Sequence, residues 1–194
     1  MRIAVDVDGV LADHVSAVLS RLRAENDGFS RTNMSMTHWD EPLPELGTSL
    51  KPAIEAAESD PEFVRNIPPV KGAVQGTTEL VDQGHELIIV TARPRAILPD
   101  THEWLEANSI PHNYEEILST DGQMKTVADT TVLIDDYPGH VNDFANAGRY
   151  AILFVQPWNR SEVDDLIESA NIFAAEDWEE VVDVVQSLSE KFEL

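Results

Sequence analysis

Short runs of apolar residues alternate with segments in which apolar side chains recur every three or four positions. The apolar runs predict strands at residues 2–6, 86–90, 132–135 and 151–155, with a weaker one at 171–174. The three-to-four spacing predicts helices at residues 73–82, 97–107, 141–147 and 178–188. Strands that alternate with helices predict an α/β fold with a mainly parallel sheet. Because the strands are almost continuously apolar, we expect helices on both faces of that sheet.

The interval between the first two predicted strands interrupts this alternation. Its apolar pattern predicts only helices, at residues 15–22, 46–57 and 61–66. We therefore expect a core domain made of residues 1–13 and 69–194, and a small helical cap at residues 14–68 inserted after the first strand. Ligands of open α/β sheets bind beyond the carboxyl ends of the strands, so the cap would overhang that edge as a lid.

The charge balance of the chain is strongly acidic. It has 36 Asp and Glu against 13 Lys and Arg, a formal net charge of −23, and the acidic residues are spread along its whole length. Such a surface repels polyanions, so we expect neither a nucleic acid polymer nor a membrane as partner. Only four of the basic residues are Lys, which favours a protein from a high-salt cytoplasm over an ordinary acidic mesophilic enzyme.

The composition also limits the cofactors and the location. The absence of cysteine rules out disulfides and thiolate metal sites, and the six His show no zinc-binding spacing. No apolar run approaches the roughly 18 residues of a membrane span, and the chain enters its first strand without a secretory leader. We therefore expect a cytoplasmic protein, in which the Asn-x-Ser sequences at Asn33 and Asn159 are coincidental.

Candidate chemistry begins where the first strand ends, at Asp6-Val7-Asp8-Gly9-Val10. Two carboxylates two residues apart on extended backbone project to the same side, with Cα atoms roughly 6 to 7 Å apart. That distance is too long for one shared proton and suits a phosphorus atom with Mg²⁺ beside it. Asp6 or Asp8 can then act as nucleophile while the other serves the leaving group, and Gly9 lets the chain turn away.

These five residues have two other interpretations. A calcium loop is disfavoured, because its glycine stands at the sixth position and Gly9 is at the fourth, after a strand. A solvated acidic turn, which an acidic protein forms often, stays open on these residues alone.

Three further features lie at strand ends or just before one. Thr91 follows an apolar strand, so its hydroxyl and the amides of Ala92 and Arg93 can hold phosphate oxygens. The pair Asp135-Asp136 follows another strand and supplies oxygen ligands for a hard cation, or else a turn or a helix cap. Lys125 can neutralise phosphate charge, or be an ordinary surface lysine.

The order of these features resembles the four motifs of the haloacid dehalogenase superfamily in its phosphatase branch. The matching residues are Asp6 to Asp13, then Thr91, then Lys125, then Ile134-Asp135-Asp136. The segments Asp8 to Asp13, Pro69 to Ala73 and Thr91 to Pro94 further resemble the type C 5′-nucleotidases, a deoxyribonucleotidase-like group. The resemblance implies a Rossmann-like three-layer α/β sandwich and spans almost the whole chain.

The resemblance also implies a role for each matching residue. Asp6 would attack the phosphorus to form an aspartyl-phosphate, and Asp8 would protonate the leaving oxygen and then activate water. Dehalogenase members lack the second aspartate of the first motif, so Asp8 favours phosphate chemistry. Mg²⁺ would be held by the Asp6 carboxylate, the Asp8 carbonyl and Asp136, with Asp135 ordering a water ligand of the ion. Thr91, Lys125 and the backbone at Ala92 and Arg93 would bind the substrate phosphate.

The chain departs from the nucleotidase pattern at positions that bear on substrate choice. His14 stands where the group tends to have an aromatic residue, and Ala92 stands where it tends to have a small hydroxyl residue. Within the predicted cap, Trp39 could stack on a base or pack the interior of the cap, and the same alternatives apply to Phe29 and Phe63. The Arg93 side chain could contact phosphate or pair with an acidic neighbour, and the sequence does not separate these alternatives.

These observations predict a Mg²⁺-dependent phosphomonoester hydrolase whose substrate is a small-molecule phosphate ester. A (deoxy)nucleoside monophosphate is the expected substrate, and another metabolite, such as a sugar phosphate, is the alternative. A different class of function is a catalytically idle protein that binds a ligand or partner on the same fold. The intact residues Asp6, Asp8, Lys125 and Asp136 argue against that class. The oligomeric state cannot be predicted.

Overall fold

A sheet of parallel strands forms the centre of the molecule. The computed structural model describes residues 1–25, 42, 47–113, 117–120 and 124–192. Within these ranges the strands are β1 Arg2–Val5, β2 Glu86–Thr91, β3 Ile117–Ser119, β4 Val132–Asp135, β5 Tyr150–Phe154 and β6 Ile172–Ala175. Their order in the sheet is β3-β2-β1-β4-β5-β6, and neighbouring strands pair in parallel.

Helices pack on both faces of this sheet. The described helices are α1 His14–Glu25, α2 Lys51–Glu58, α3 Pro61–Arg65, α4 Ala73–Asp82, α5 Leu98–Ala107, α6 Pro138–Asn146, α7 Val163–Leu166 and α8 Trp178–Phe192. Alternate strand residues face opposite sides, so Ile3 and Val5 pack against α4, α5 and α8 while Ala4 packs against α6 and α7. The predicted α/β fold with a covered parallel sheet is therefore confirmed.

Some element boundaries differ from the prediction. The prediction missed β3, which is a three-residue strand at the edge of the sheet with an exposed Leu118, so it lacks a clear apolar pattern. Helix α6 begins at Pro138, three residues before the predicted start, because proline is well accommodated in the first turn of a helix. Helix α8 continues past the predicted end at residue 188. Helix α2 begins at Lys51, and residues 43–46 lie outside the described ranges.

The described part of residues 14–68 consists of the helices α1, α2 and α3 with their connections. A small apolar cluster joins α1 and α2, and it contains Val15, Val18, Leu50, Ile54, Ala57 and also Trp158, which follows β5. The division into a core and a cap at residues 14–68 stays a prediction. Trp39 and Phe29 lie outside the described residues. No described helix has the length and apolar character that a membrane span requires.

Candidate active site

The carboxyl ends of three adjacent strands bring the sequence-predicted residues to one edge of the sheet. Strand β1 is central and pairs with both β2 and β4, in a register that aligns Val5 with Ile89 on one side and with Ile134 on the other. The amide of Asp6 donates a hydrogen bond of 3.0 Å to the carbonyl of Ile134, which extends this pairing by one residue. Asp6 and Asp135 therefore leave the sheet side by side.

A cluster of three buried carboxylates lies at this edge. Asp6, Asp135 and Asp136 each offer an oxygen within 4.8 Å of the others. Lys125, which is only 1% exposed, places its Nζ 2.6 Å from Asp6 Oδ1 and 2.8 Å from Asp135 Oδ2. One ammonium group thus faces a cluster that carries up to three negative charges.

The turn after β1 depends on Gly9. Its φ angle of +82° lies in the left-handed region, which favours glycine. A Cβ atom at this position would overlap the carboxylate of Asp136. The turn is closed by hydrogen bonds from the amides of Leu11 and Ala12 to the carbonyl of Val7. Glycine therefore serves both the backbone conformation and the close approach of Asp136.

Residues after β5, which sequence reasoning missed, hold Asp136 in place. Trp158 Nε1 donates a hydrogen bond of 2.8 Å to Asp136 Oδ2, and Asn159 Nδ2 donates one of 2.7 Å to the Asp136 carbonyl. Gln156 Nε2 donates one of 2.6 Å to the carbonyl of Gly9. The signal in the sequence is their position beyond the carboxyl end of β5, a further strand of the parallel sheet.

Asp135 is bound by partners from three directions. Besides Lys125, the Tyr137 amide donates to Oδ1 at 2.8 Å, and His140 Nδ1 lies 3.1 Å from Oδ2. Burial favours the neutral form of Asp135, but Lys125 and His140 outweigh burial and hold its pKa below the usual value. The bond from Tyr137 shows that Asp135 also closes the turn before α6, one of the alternatives left open by the sequence.

Arg93 pairs with Asp8. Its Nε and Nη2 donate to the two carboxylate oxygens of Asp8 at 2.8 and 2.7 Å, and its Nη1 donates to Thr101 Oγ1 at 3.0 Å. Burial opposes ionisation of Asp8, but the guanidinium outweighs it and lowers the pKa of Asp8 to about 2. The sequence left open whether the Arg93 side chain contacts phosphate or pairs with an acidic neighbour. The structure shows that it pairs with the acidic neighbour Asp8.

A cleft of about 370 Å³ opens between this edge of the sheet and α2. Its lining consists of Asp6, Asp8, His14, Lys51, Ile54, Glu55, Glu58, Ala92, Arg93, Asp136, Tyr137 and His140. Four of these residues recur at helical spacing on one face of α2, and three of the four have ionisable side chains. The four are Lys51, Ile54, Glu55 and Glu58. The other wall of the cleft carries the candidate catalytic aspartates.

Two of the predicted phosphate-binding residues do not line the cleft. Thr91 is fully buried, and its Oγ1 accepts a 3.1 Å hydrogen bond from the Arg93 amide. Lys125 is bound between Asp6 and Asp135. Ala92 and Arg93 do line the cleft, as do Asp6, Asp8, Asp136 and His14.

The cleft concentrates carboxyl groups that are reluctant to ionise. Burial raises the pKa of Asp6 to about 6, although Lys125 opposes the shift. Burial, and then the charge of Asp6, raises the pKa of Asp136 well above its usual value. Burial, and then the charge of Asp8, raises the pKa of Glu58 to about 7. Ionised carboxyl groups that lie this close together repel each other, so the arrangement is unfavourable without additional positive charge nearby.

This donor set fits Mg²⁺. Carboxylate and carbonyl oxygens are the ligands that this small, hard cation prefers. The carboxylates of Asp6, Asp135 and Asp136 outnumber the single ammonium group of Lys125, so a divalent cation would balance their charge. The absence of a side chain at Gly9 leaves room for the Asp136 carboxylate beside the backbone.

Several solved structures share the fold of this chain. A haloacid dehalogenase family hydrolase from Deinococcus radiodurans, solved with bound phosphate and sodium, matches with a TM-score of 0.59 and 13% identity, over 96% of this chain and 95% of that one. A haloacid dehalogenase-like protein from Agrobacterium tumefaciens matches with a TM-score of 0.57 and 18% identity, over 97% and 98%. The fold is that of the haloacid dehalogenase superfamily, as the resemblance implied.

A family model identifies the family within this fold, and several relatives are similar in sequence. Residues 1–191 match the model of the family described as 5′ nucleotidase, deoxy (Pyrimidine), cytosolic type C, and the chain belongs to this family. A Bordetella pertussis protein provisionally named 5′(3′)-deoxyribonucleotidase is 26% identical over 167 residues, 84% of this chain and 88% of its own. A provisionally named nucleotidase of Bacillus subtilis is 27% identical over 107 residues, 54% of this chain and 53% of its own. The chain is a 5′-nucleotidase-like phosphoric monoester hydrolase.

Proposed function

We propose that the chain is a Mg²⁺-dependent 5′-nucleotidase that hydrolyses (deoxy)nucleoside monophosphates through an aspartyl-phosphate. The observation that carries this proposal is the meeting of Asp6 and Asp8 with Asp135 and Asp136 at one edge of the sheet, beside a cleft. The proposed location is the cytoplasm, and residues 14–68 are proposed as the cap over the cleft.

Asp6 is the proposed nucleophile. Its carboxylate oxygen forms a bond to phosphorus while the bond from phosphorus to the ester oxygen breaks, so the alcohol leaves with the bonding electrons. Water then attacks the phosphorus of the aspartyl-phosphate, which releases inorganic phosphate and restores Asp6. Lys125, 2.6 Å from Asp6 Oδ1, keeps a positive charge beside the attacking carboxylate throughout.

Asp8 is the proposed acid and base. It gives a proton to the leaving ester oxygen in the first step and takes a proton from water in the second. The bidentate pair with Arg93 holds Asp8 ionised, which suits the second step. A bound phosphate group offers Arg93 a competing anion, and weaker pairing raises the pKa of Asp8 toward the value that proton donation needs.

Asp6 and Asp136 would hold Mg²⁺ through their carboxylates, together with the backbone carbonyl of Asp8. When bound, the ion supplies positive charge that offsets the repulsion between an anionic nucleophile and an anionic phosphate. Trp158 and Asn159 orient Asp136 for this purpose.

The family and the names of the Bordetella and Bacillus relatives support a nucleotide substrate. A sugar phosphate is the second candidate, favoured by the departures at His14 and Ala92 and by the charged face of α2 in the cleft. In either case the partner is a small phosphate ester.

The variant Asp6→Asn tests the mechanism. We expect phosphate release from thymidine 5′-monophosphate with Mg²⁺ to fall by roughly 10³-fold or more, because an amide cannot act as the nucleophile. The melting temperature should stay within a few degrees of the parent. Asp82→Asn, at an exposed position at the end of α4, is the matched control and should keep full activity. Parent-like turnover by Asp6→Asn would refute the aspartyl-phosphate mechanism.

A further inference from the structure

His14 brings an unsatisfied polar atom to the cleft. It is the first residue of α1 and is only 1% exposed, yet it lines the cleft. Its Nε2 makes no hydrogen bond with any residue in the described ranges. Phe63 packs edge-on against the imidazole ring, with 6.2 Å between the ring centroids, so the ring is fixed by packing and not by polar contacts.

Glu58 of α2 faces this atom. It is the last residue of α2, its side chain is 25% exposed, and its Oε1 lies 4.0 Å from His14 Nε2. Among the described residues, no other side chain forms an ion pair or hydrogen bond with the Glu58 carboxyl group. A buried imidazole nitrogen that faces a partly exposed carboxyl group without a hydrogen bond is unfavourable unless a ligand completes it.

The distance between these two atoms suits one bridging oxygen. At 4.0 Å they are too far apart for a direct hydrogen bond, but an atom about 2.8 Å from each fits between them. A hydroxyl group can accept a hydrogen bond from the imidazole N–H and donate one to the carboxylate at the same time. An anionic oxygen has no proton to donate, so it could not satisfy the ionised form of Glu58.

The position of His14 and Glu58 relative to the candidate catalytic groups identifies which part of the substrate would reach them. The charge of Asp8 acts on both His14 and Glu58, so the two residues lie near the proposed acid for the leaving oxygen. We propose that His14 and Glu58 form a subsite that binds a hydroxyl group of the leaving alcohol. In a nucleotide this group is a ribose hydroxyl, and in a sugar phosphate it is a neighbouring sugar hydroxyl. The subsite rests on the proposed hydrolysis and makes His14 and Glu58 specificity-determining residues.

Matched substrates that differ by one hydroxyl test the subsite. The first set is uridine 5′-monophosphate with its 2′-deoxy and 2′,3′-dideoxy forms, and the second is glycerol 1-phosphate with propyl phosphate. We expect kcat/KM of the parent enzyme to fall about tenfold to a hundredfold when the bound hydroxyl is removed, in at least one set. The aryl ester 4-nitrophenyl phosphate, which carries no hydroxyl, reports the chemistry alone.

Variants separate binding from a structural role. In Glu58→Ala and in His14→Phe, which keeps a ring of similar shape, the preference for the hydroxylated substrate should fall to near one. The rate on 4-nitrophenyl phosphate measures any effect of each variant on the chemistry itself, and the preference is taken relative to it. Glu55→Ala, an exposed carboxylate on the same face of α2, is the control and should keep the preference. Glu58→Leu, which is of similar size and cannot accept a hydrogen bond, provides a second variant if Glu58→Ala melts too early to assay.

Two results would overturn the subsite. One is a parent enzyme that hydrolyses 4-nitrophenyl phosphate but prefers the hydroxylated member of neither set. The other is a preference that survives in both variants. Loss of activity in equal proportion on every ester would indicate a structural role only, and would also refute the subsite. If the parent hydrolyses no phosphate ester at all, the proposed function fails as well, which distinguishes the two failures.

Discussion

The pKa values of four aspartates in this site shift in different directions because their neighbours differ. Burial raises the pKa of Asp6 and of Asp136, whereas ion pairs lower the pKa of Asp8 and of Asp135 despite their burial. Groups whose environments push their pKa values apart are typical of acid and base pairs in enzymes. The same side chain type can therefore serve as nucleophile, proton carrier and cation ligand within one cluster.

The first prediction for a single residue concerns Gly9. We expect Gly9→Ala to weaken Mg²⁺ binding about tenfold or more, because the new Cβ displaces the Asp136 carboxylate. The backbone strain at a φ of +82° adds roughly 1 kcal/mol of destabilisation. Isothermal titration with MgCl₂ and thermal melting measure the two effects separately.

Gly84→Ala is the matched control for that variant. Gly84 has a φ of +84°, almost the same as Gly9, but no atom lies within 4 Å of the position its Cβ would take. It should lose a similar amount of stability and bind Mg²⁺ like the parent. Equal Mg²⁺ affinity in Gly9→Ala and Gly84→Ala would show that the fit between Gly9 and Asp136 does not matter for the ion.

At the scale of elements, the loop after β5 connects the site to the helices between β1 and β2. Trp158 donates a hydrogen bond to Asp136, and its ring packs in the cluster that contains Val15 of α1 and Ile54 of α2. The same residue therefore couples the packing of these helices to the position of a candidate cation ligand.

Trp158→Phe separates these two roles, because phenylalanine keeps an aromatic ring but has no N–H donor. We expect Mg²⁺ affinity to fall about tenfold, since a carboxylate ligand that loses its orienting donor is less well placed. The free energy of unfolding should fall by about 1 to 2 kcal/mol. Titration with MgCl₂ and denaturant unfolding measure these changes.

Trp104→Phe is the control for this substitution. Trp104 is fully buried, and its Nε1 donates to the carbonyl of Ile67, away from the acidic cluster. This variant should lose comparable stability without a change in Mg²⁺ affinity. If Trp158→Phe bound Mg²⁺ as tightly as Trp104→Phe does, the hydrogen bond to Asp136 would have no part in holding the ion.

At the scale of the whole molecule, the net charge of −23 is the dominant electrostatic fact. Like charges spread over one folded surface repel each other and favour the expanded, unfolded chain. Screening shortens the range of this repulsion from about 10 Å at 0.1 M salt to about 3 Å at 1 M. We therefore expect the folded state to gain stability with salt.

We expect the melting temperature to rise by at least 10 °C between roughly 0.1 M and 3 M KCl, because screening removes most of the self-repulsion. A thermal scan at fixed Mg²⁺ across this series measures the effect. Sucrose stabilises by exclusion without screening charge, so a matched sucrose series distinguishes the two causes. A melting temperature that is already maximal in dilute buffer would contradict the interpretation of a protein adapted to high salt.

The sequence alone predicted more of the fold than of the contacts in the site. The strands around Asp6 and Asp135 have strong apolar patterns, and both residues stand at strand ends, so the topology of a parallel sheet brings them together. Strand β3 escaped prediction because three half-exposed edge residues carry no clear period. The partners of Asp136 were not predicted, because Trp158 and Asn159 lie more than 20 positions away along the chain and form no motif with it.

The sequence by itself determined the order of the elements, the acidic surface and the positions of the candidate catalytic aspartates. These properties are local, since they follow from periodicity and from residue types at strand ends. Only the tertiary structure decided that Arg93 pairs with Asp8, and that Glu58 faces His14 beside the cleft. Such pairings join residues up to 85 positions apart, and they depend on how helices pack over the sheet, which no local pattern encodes.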